Sequence, residues 1–161
     1  MTDQLLAYGS RDYFILLAAI AFARGMDFFS TWVATPTLML EGNPIARKLG
    51  WRGGLICNAL FCGAVAVWPM PAIIVTVMSL LVAAHNFQNA WIMRSMGEVE
   101  YAVWMHERIT TSPRSLFLSC IGSQSLLTAF VGGILLLTTP ETSIPFAVGL
   151  GIMGYALAVI V

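Results

Sequence analysis

Charge is what this chain has least of. Only 10% of its 161 residues are charged, 8 Lys and Arg against 8 Asp and Glu, and the formal net charge is zero. A soluble domain carries about 25%. With no basic excess to neutralise phosphates, nucleic-acid binding is excluded as an expectation. Cysteine is sparse as well. Cys57, Cys62 and Cys120 lie in apolar runs and form no C-x-x-C, so neither a disulfide framework nor a zinc cage is indicated. Internal repeats and low-complexity tracts are also missing. What the chain has in abundance is apolar residues, 58% of the total, at a mean hydropathy of +0.82. That excludes a soluble enzyme, and it excludes a disordered chain, which needs low hydrophobicity and high net charge.

The expected fold is all-α: a polytopic transmembrane helix bundle forming a single integral membrane domain over 1–161. A crossing helix needs about 20 mostly apolar residues. Five stretches meet or approach that length, 13–36, 51–68, 72–93, 115–138 and 144–161. Four spans is the alternative, because the second and last runs are short. Trp51 and Trp68 sit at the two ends of the second run, where interfacial aromatics belong. Pro69 and Pro71 make the turn into the third. Asn43-Pro44 reads as an N-cap followed by proline at the first helical position, and Gly50 as the stop of that short helix. Within 97–114, residues 98–111 place Tyr101, Trp104, Met105 and Ile109 at helical spacing, which predicts a short interfacial amphipathic helix between spans three and four. Two further spans occupy 115–161. Gly149, Gly151 and Gly154 in the last suggest close helix contact.

Outside the spans, one side carries Arg11 alone, whereas the other carries Arg47, Lys48, Arg52, Arg94, Arg108 and Arg114. The bias places the second side in the cytoplasm, with the N-terminus outside and the C-terminus inside. Ala21-Phe22-Ala23 resembles a signal cleavage site, but Asp12 abuts the apolar run, so the first helix is expected to stay uncleaved.

With helix directions alternating, a rise of about 1.5 Å per residue converts position into depth. Asp27 then lies about 14 Å, Asn58 about 10 Å and His85 about 12 Å from the cytoplasmic edge. Thr31, Asn89 and Gln124 fall in the same leaflet, and Glu41 and Asn43 cap it from the first loop. Arg24, Asp27 and Thr31 share one helix face, and His85 and Asn89 share another. Unpaired charge near mid-membrane costs roughly 2.5–3.5 kcal/mol, so such groups face the interior and find partners. Asp27 can pair with Arg24 in its own helix, while His85 needs Asp27, Asn58 or Gln124. Asn58 and Gln124 can equally serve as packing glue, and Glu41 can simply bind Asn43 in its turn.

The run Asp27-x3-Thr31 followed by Glu41-x-Asn43-Pro44 resembles a family of small bacterial and archaeal multi-pass membrane proteins defined as a domain of unknown function. The resemblance covers about 24–96. It implies a location in the bacterial or archaeal cytoplasmic membrane, and it groups Asp27, Thr31, Glu41 and Asn43 as one motif without supplying an activity. Where the family pattern leads one to expect a lysine in the second span, this chain has Asn58. His85-x3-Asn89 is similar to one motif of the intramembrane CAAX-type proteases, but their paired-glutamate and second histidine motifs are absent, so that activity is not carried over.

Three functions compete. The favoured one is an accessory or scaffold subunit packing against lipids and against other membrane subunits or a second copy of itself. The second is an inner-leaflet site for a divalent metal or a lipid head group. There Asp27, Glu41 and His85 would be the metal ligands or the catalytic groups, and Thr31, Asn43, Asn58, Asn89 and Gln124 would bind the ligand. The third is an oligomeric transporter or channel, which the missing inverted repeat disfavours.

Overall fold

The computed structural model describes residues 4–159, and within them the chain forms six helices and no strands. Helix α1 (Arg11–Ala34) starts at Ser10, whose hydroxyl accepts the Tyr13 amide at 3.2 Å. Helix α2 (Pro44–Val65) starts as the sequence predicts. Asn43 caps the amide of Ile45 at 2.9 Å, and Pro44 occupies the first turn, where its missing N–H costs nothing. Inside α2, Gly50 takes φ 62° and ψ −175°, a conformation reserved for glycine, and divides a short entry helix from the long remainder. Helix α3 (Pro69–Met96) takes Pro69 and Pro71 into its first turn, so the expected turn lies just before them at 66–68. Helix α4 (Glu98–Thr111) coincides with the predicted amphipathic segment and buries no residue. Helices α5 (Arg114–Thr138) and α6 (Ile144–Ala158) complete the chain.

Three of the six helices, α1, α3 and α5, are long and apolar enough to cross a membrane. The expectation of five is not supported on that measure. The second stretch belongs to a helix that carries Arg47, Lys48 and Arg52 and breaks at Gly50. The last runs only 15 residues as a helix, and Ile160 and Val161 lie outside the described residues.

Contacts between helix ends give their directions. The Leu6 amide donates to the Val67 carbonyl at 2.9 Å, so the starts of α1 and α3 adjoin. At the other end, the Thr35 hydroxyl donates to Glu98, just past α3, at 2.7 Å. Helices α1 and α3 are therefore parallel. Helices α1 and α3 pack directly on each other, and α2 runs back alongside them, tied at one end by the Trp51 indole to the Pro36 carbonyl (2.8 Å) and at the other by the Tyr13 hydroxyl to the Gly63 carbonyl (3.2 Å). Helix α5 is antiparallel to α6, because Gly132 meets Gly149 while the Ser125 hydroxyl donates to the Ala156 carbonyl at 2.7 Å.

The core between the helices is built from small residues. Ala23, Ala72, Ala83, Ala90, Ser30 and Ser79 are buried, and Ile20 is the largest fully buried apolar side chain. Close backbone approach of this kind replaces the hydrophobic drive that is weak between helices in lipid. The glycines of α6 take part. A Cβ on Gly149 would stand 3.0 Å from the Gly132 carbonyl, and one on Gly151 would stand 2.8 Å from Val77 on α3.

Candidate functional site

A cavity of about 870 Å³ opens among α1, α2, α3 and α4 at the end of the bundle nearest the α1–α2 loop. Asp27 and Thr31 reach it from α1, Glu41 and Asn43 from the loop, Asn58 from α2, and His85 and Asn89 from α3. Seven of the eight residues singled out in the sequence thus line one space. The eighth does not: Gln124 is exposed on the outer side of α5, as are Ser119 and Ser123. Position along a helix was legible, but the azimuth of α5 was not.

Arg24 organises the inner wall. Its Nη1 donates to Asp27 Oδ2 at 2.9 Å, its Nε donates to Asn58 Oδ1 at 2.8 Å, and Nη2 also donates to that same oxygen. A weaker contact runs from Nη1 to the Ser79 hydroxyl at 3.5 Å. Asn58 is oriented for this by donating its Nδ2 to the Gly54 carbonyl at 3.1 Å. Among the described residues Arg24–Asp27 is the only ion pair. The sequence anticipated Arg24 as an intrahelical partner, yet its reach across to α2 was missed. A long cation one turn before Asp27 in an apolar helix, with Asn58 in the next helix, was the available signal.

The other candidates are held locally. Glu41 Oε1 accepts the Asn43 amide at 2.9 Å, closing its own turn. Asn43 Oδ1 is engaged as the α2 cap. Asn89 donates to the His85 carbonyl within α3 at 3.3 Å. The His85 ring makes no hydrogen bond among the described residues; it stands edge-on to Tyr155 with centroids 6.5 Å apart. The partnership expected between His85 and Asp27, Asn58 or Gln124 is therefore not formed. Asn86, which the sequence did not single out as a ligand, lines the cavity and donates to the Ser30 and Thr31 hydroxyls at 3.3 and 3.5 Å. Phe28, Trp51 and Tyr101 add aromatic walls. Burial raises the Tyr101 phenol above its ordinary pKa, so it stays a neutral donor.

Glu98 fixes the rim. Its carboxylate accepts the hydroxyls of Thr35 (2.7 Å) and Thr37 (2.6 Å) and the amides of Thr37 (3.0 Å) and Met39 (3.3 Å). Desolvation alone pushes this carboxyl up, but the donors outweigh it and hold its pKa below the ordinary value. The sequence showed Glu98 only as an acidic residue at a helix start, where it suits the dipole.

Among the described residues no three His, Cys, Asp or Glu side chains gather in a way that could hold a metal ion. Asp27, Glu41 and His85 share the cavity without forming a coordination set. Comparison with protein-family models, curated proteins and solved structures gives no match for the chain.

Proposed function

We propose that this is a multi-pass membrane protein whose cavity binds the head group of an amine-bearing lipid or related amphiphile in the inner leaflet. The observation that carries the reading is the excess of acceptors on the cavity wall. The Arg24 charge is paired with Asp27, and its Nε, Nη1 and Nη2 each donate to a wall residue. Glu41 forms no ion pair among the described residues, and its Oε2, Asp27 Oδ1, Asn86 Oδ1 and Asn89 Oδ1 accept no bond from them. An ammonium group answers that surplus, and Phe28, Trp51 and Tyr101 supply ring faces that attract a cation. A divalent metal fits less well, for want of a third ligand.

The helix directions support insertion of more than the three long helices. Two parallel spans, α1 and α3, require the chain to return across the bilayer between them, and α2 is the segment that does so. Helix α6, parallel to α3, returns the chain after α5 in the same way. The basic residues Arg47, Lys48 and Arg52 near the start of α2 and Arg94 near the end of α3 favour the cytoplasmic side for that end of the bundle, although none of them lines the cavity. Helix α4 then lies in that interface, its Val99, Val103 and Ile109 exposed to lipid.

Native mass spectrometry of the protein extracted in mild detergent tests the binding. The reading predicts one retained phosphatidylethanolamine per chain, enriched over phosphatidylglycerol relative to the source membrane. It also predicts loss of that enrichment in a variant combining Asp27→Asn with Glu41→Gln. Retained lipid that mirrors the bulk composition in both proteins contradicts it.

A further inference from the structure

The outer face of α5 carries a feature the cavity does not explain. Of the bundle helices, α5 packs extensively on α6 alone, through Ser125 and Gly132. A face turned away from α6 presents Phe117, Cys120, Gln124, Leu127, Val131 and Ile134, all exposed. Their spacing alternates three and four, the seven-residue repeat of a helix seam that pairs with another helix. One member of the seam is polar. Gln124 lies ten residues into an apolar helix, about 15 Å from its start, with a side-chain amide that makes no hydrogen bond among the described residues. In hydrocarbon such a group is stabilised by a partner on another helix.

We infer that two copies of the chain pair through the α5 seam, with Gln124 of each hydrogen-bonded to Gln124 of the other. Three points select a second copy as the occupant. Every copy inserts in the same sense, so two α5 helices meet parallel and in register about a two-fold axis along the membrane normal. That symmetry sets each seam residue opposite itself. A primary amide is both donor and acceptor, so Gln is complementary to its own copy where a charged residue would repel. A single polar side chain at such a position also fixes register and copy number, which a seam of Phe, Leu, Val and Ile alone leaves open. The inference needs α5 in the membrane but is independent of what the cavity binds, since the seam points away from it.

Cys120, one turn before Gln124 on the seam, is a built-in reporter. With Cys57 and Cys62 replaced by alanine, oxidation of intact membranes with copper phenanthroline is expected to yield a Cys120–Cys120 dimer. A control lacking Cys120 but carrying Leu126→Cys, which is exposed on the other side of α5, is expected to stay monomeric. Gln124→Leu, which cannot unfold the helix by polarity, is expected to weaken dimerisation about tenfold in detergent titrations, and Gln124→Asn to restore part of it. Equal cross-linking at both positions, or a monomer in native membranes, overturns the inference. Capture of a different membrane protein by the seam in place of the second copy overturns it as well.

Discussion

Arg24 on α1 donates twice to the side-chain oxygen of Asn58 on α2, and this joins two helices through a group whose charge is balanced by Asp27 on its own helix. The geometry makes Arg24 a bridge and Asp27 its counter-charge. Asp27 engages Oδ2 in this pair and keeps Oδ1 without a partner among the described residues.

Removing the bridge leaves Asp27 alone. A fully buried pair that loses one partner costs about 3–5 kcal/mol. Here the side chains keep 30% and 19% exposure, so screening lowers the expected cost of Arg24→Leu to about 2 kcal/mol. The double variant Arg24→Leu with Asp27→Leu is expected to recover at least half of that loss. Thermal denaturation in detergent, run as a double-mutant cycle, measures both.

Glu98 gives the α1–α2 loop its pH dependence. Because hydrogen bonds hold its folded pKa below the ordinary value of 4.5, the anchoring is complete above that value. It is lost as pH falls through the ordinary glutamate range to the lower folded pKa. Glu98→Ala is expected to cost about 1–2 kcal/mol and to abolish the acid dependence of the loop. Hydrogen exchange of the Thr37 and Met39 amides at neutral pH and at a pH well below the ordinary glutamate range reports it: protected and then exposed in the parent, exposed at both in the variant.

The α5–α6 contact depends on a bare backbone. A methyl on Gly132 would meet the Gly149 carbonyl and Met153 Cγ at 3.0 Å, whereas one on the neighbouring Gly133 would meet nothing within 4 Å. Gly132→Ala is therefore expected to lower stability by about 1–3 kcal/mol, the usual cost of overpacking, and Gly133→Ala to leave it unchanged. Parallel melting curves of the two variants decide the point.

Much of this was written in the pattern of residues. The Asn43 cap and the break at Gly50 are local chemistry and stand where the sequence put them, whereas the turn before α3 falls at 66–68 and Pro69 and Pro71 open the helix itself. Helix α4 was legible because Tyr101, Trp104, Met105 and Ile109 keep a helical period between polar neighbours. The level of Asp27, Thr31, Asn58, His85 and Asn89 along their helices was legible too, and they line one cavity. Rotation about a helix axis was not. An apolar helix such as α5 offers no contrast between its faces, so Gln124 was assigned inward and points outward. The crossing bond from Arg24 to Asn58 and the clasp of Glu98 on Thr35 and Thr37 join residues 34 and more than 60 positions apart. Such pairings follow from packing, and no spacing rule announces them. The membrane count fell short for a related reason: α2 carries its charges in the entry helix before Gly50 and just after it, and α6 is short.

The central claim is that the cavity recognises an amine head group. Its most direct test keeps Trp51 as the sole indole, with the other four of the 5 tryptophans replaced by phenylalanine. The protein is placed in nanodiscs of phosphatidylcholine and titrated with phosphatidylethanolamine or phosphatidylglycerol. The account predicts a saturable change in Trp51 emission with phosphatidylethanolamine alone, reduced about tenfold or more in affinity when Glu41 becomes Gln, in line with loss of a charge-assisted hydrogen bond. An equal response to both lipids, or one that Glu41→Gln leaves untouched, would contradict it.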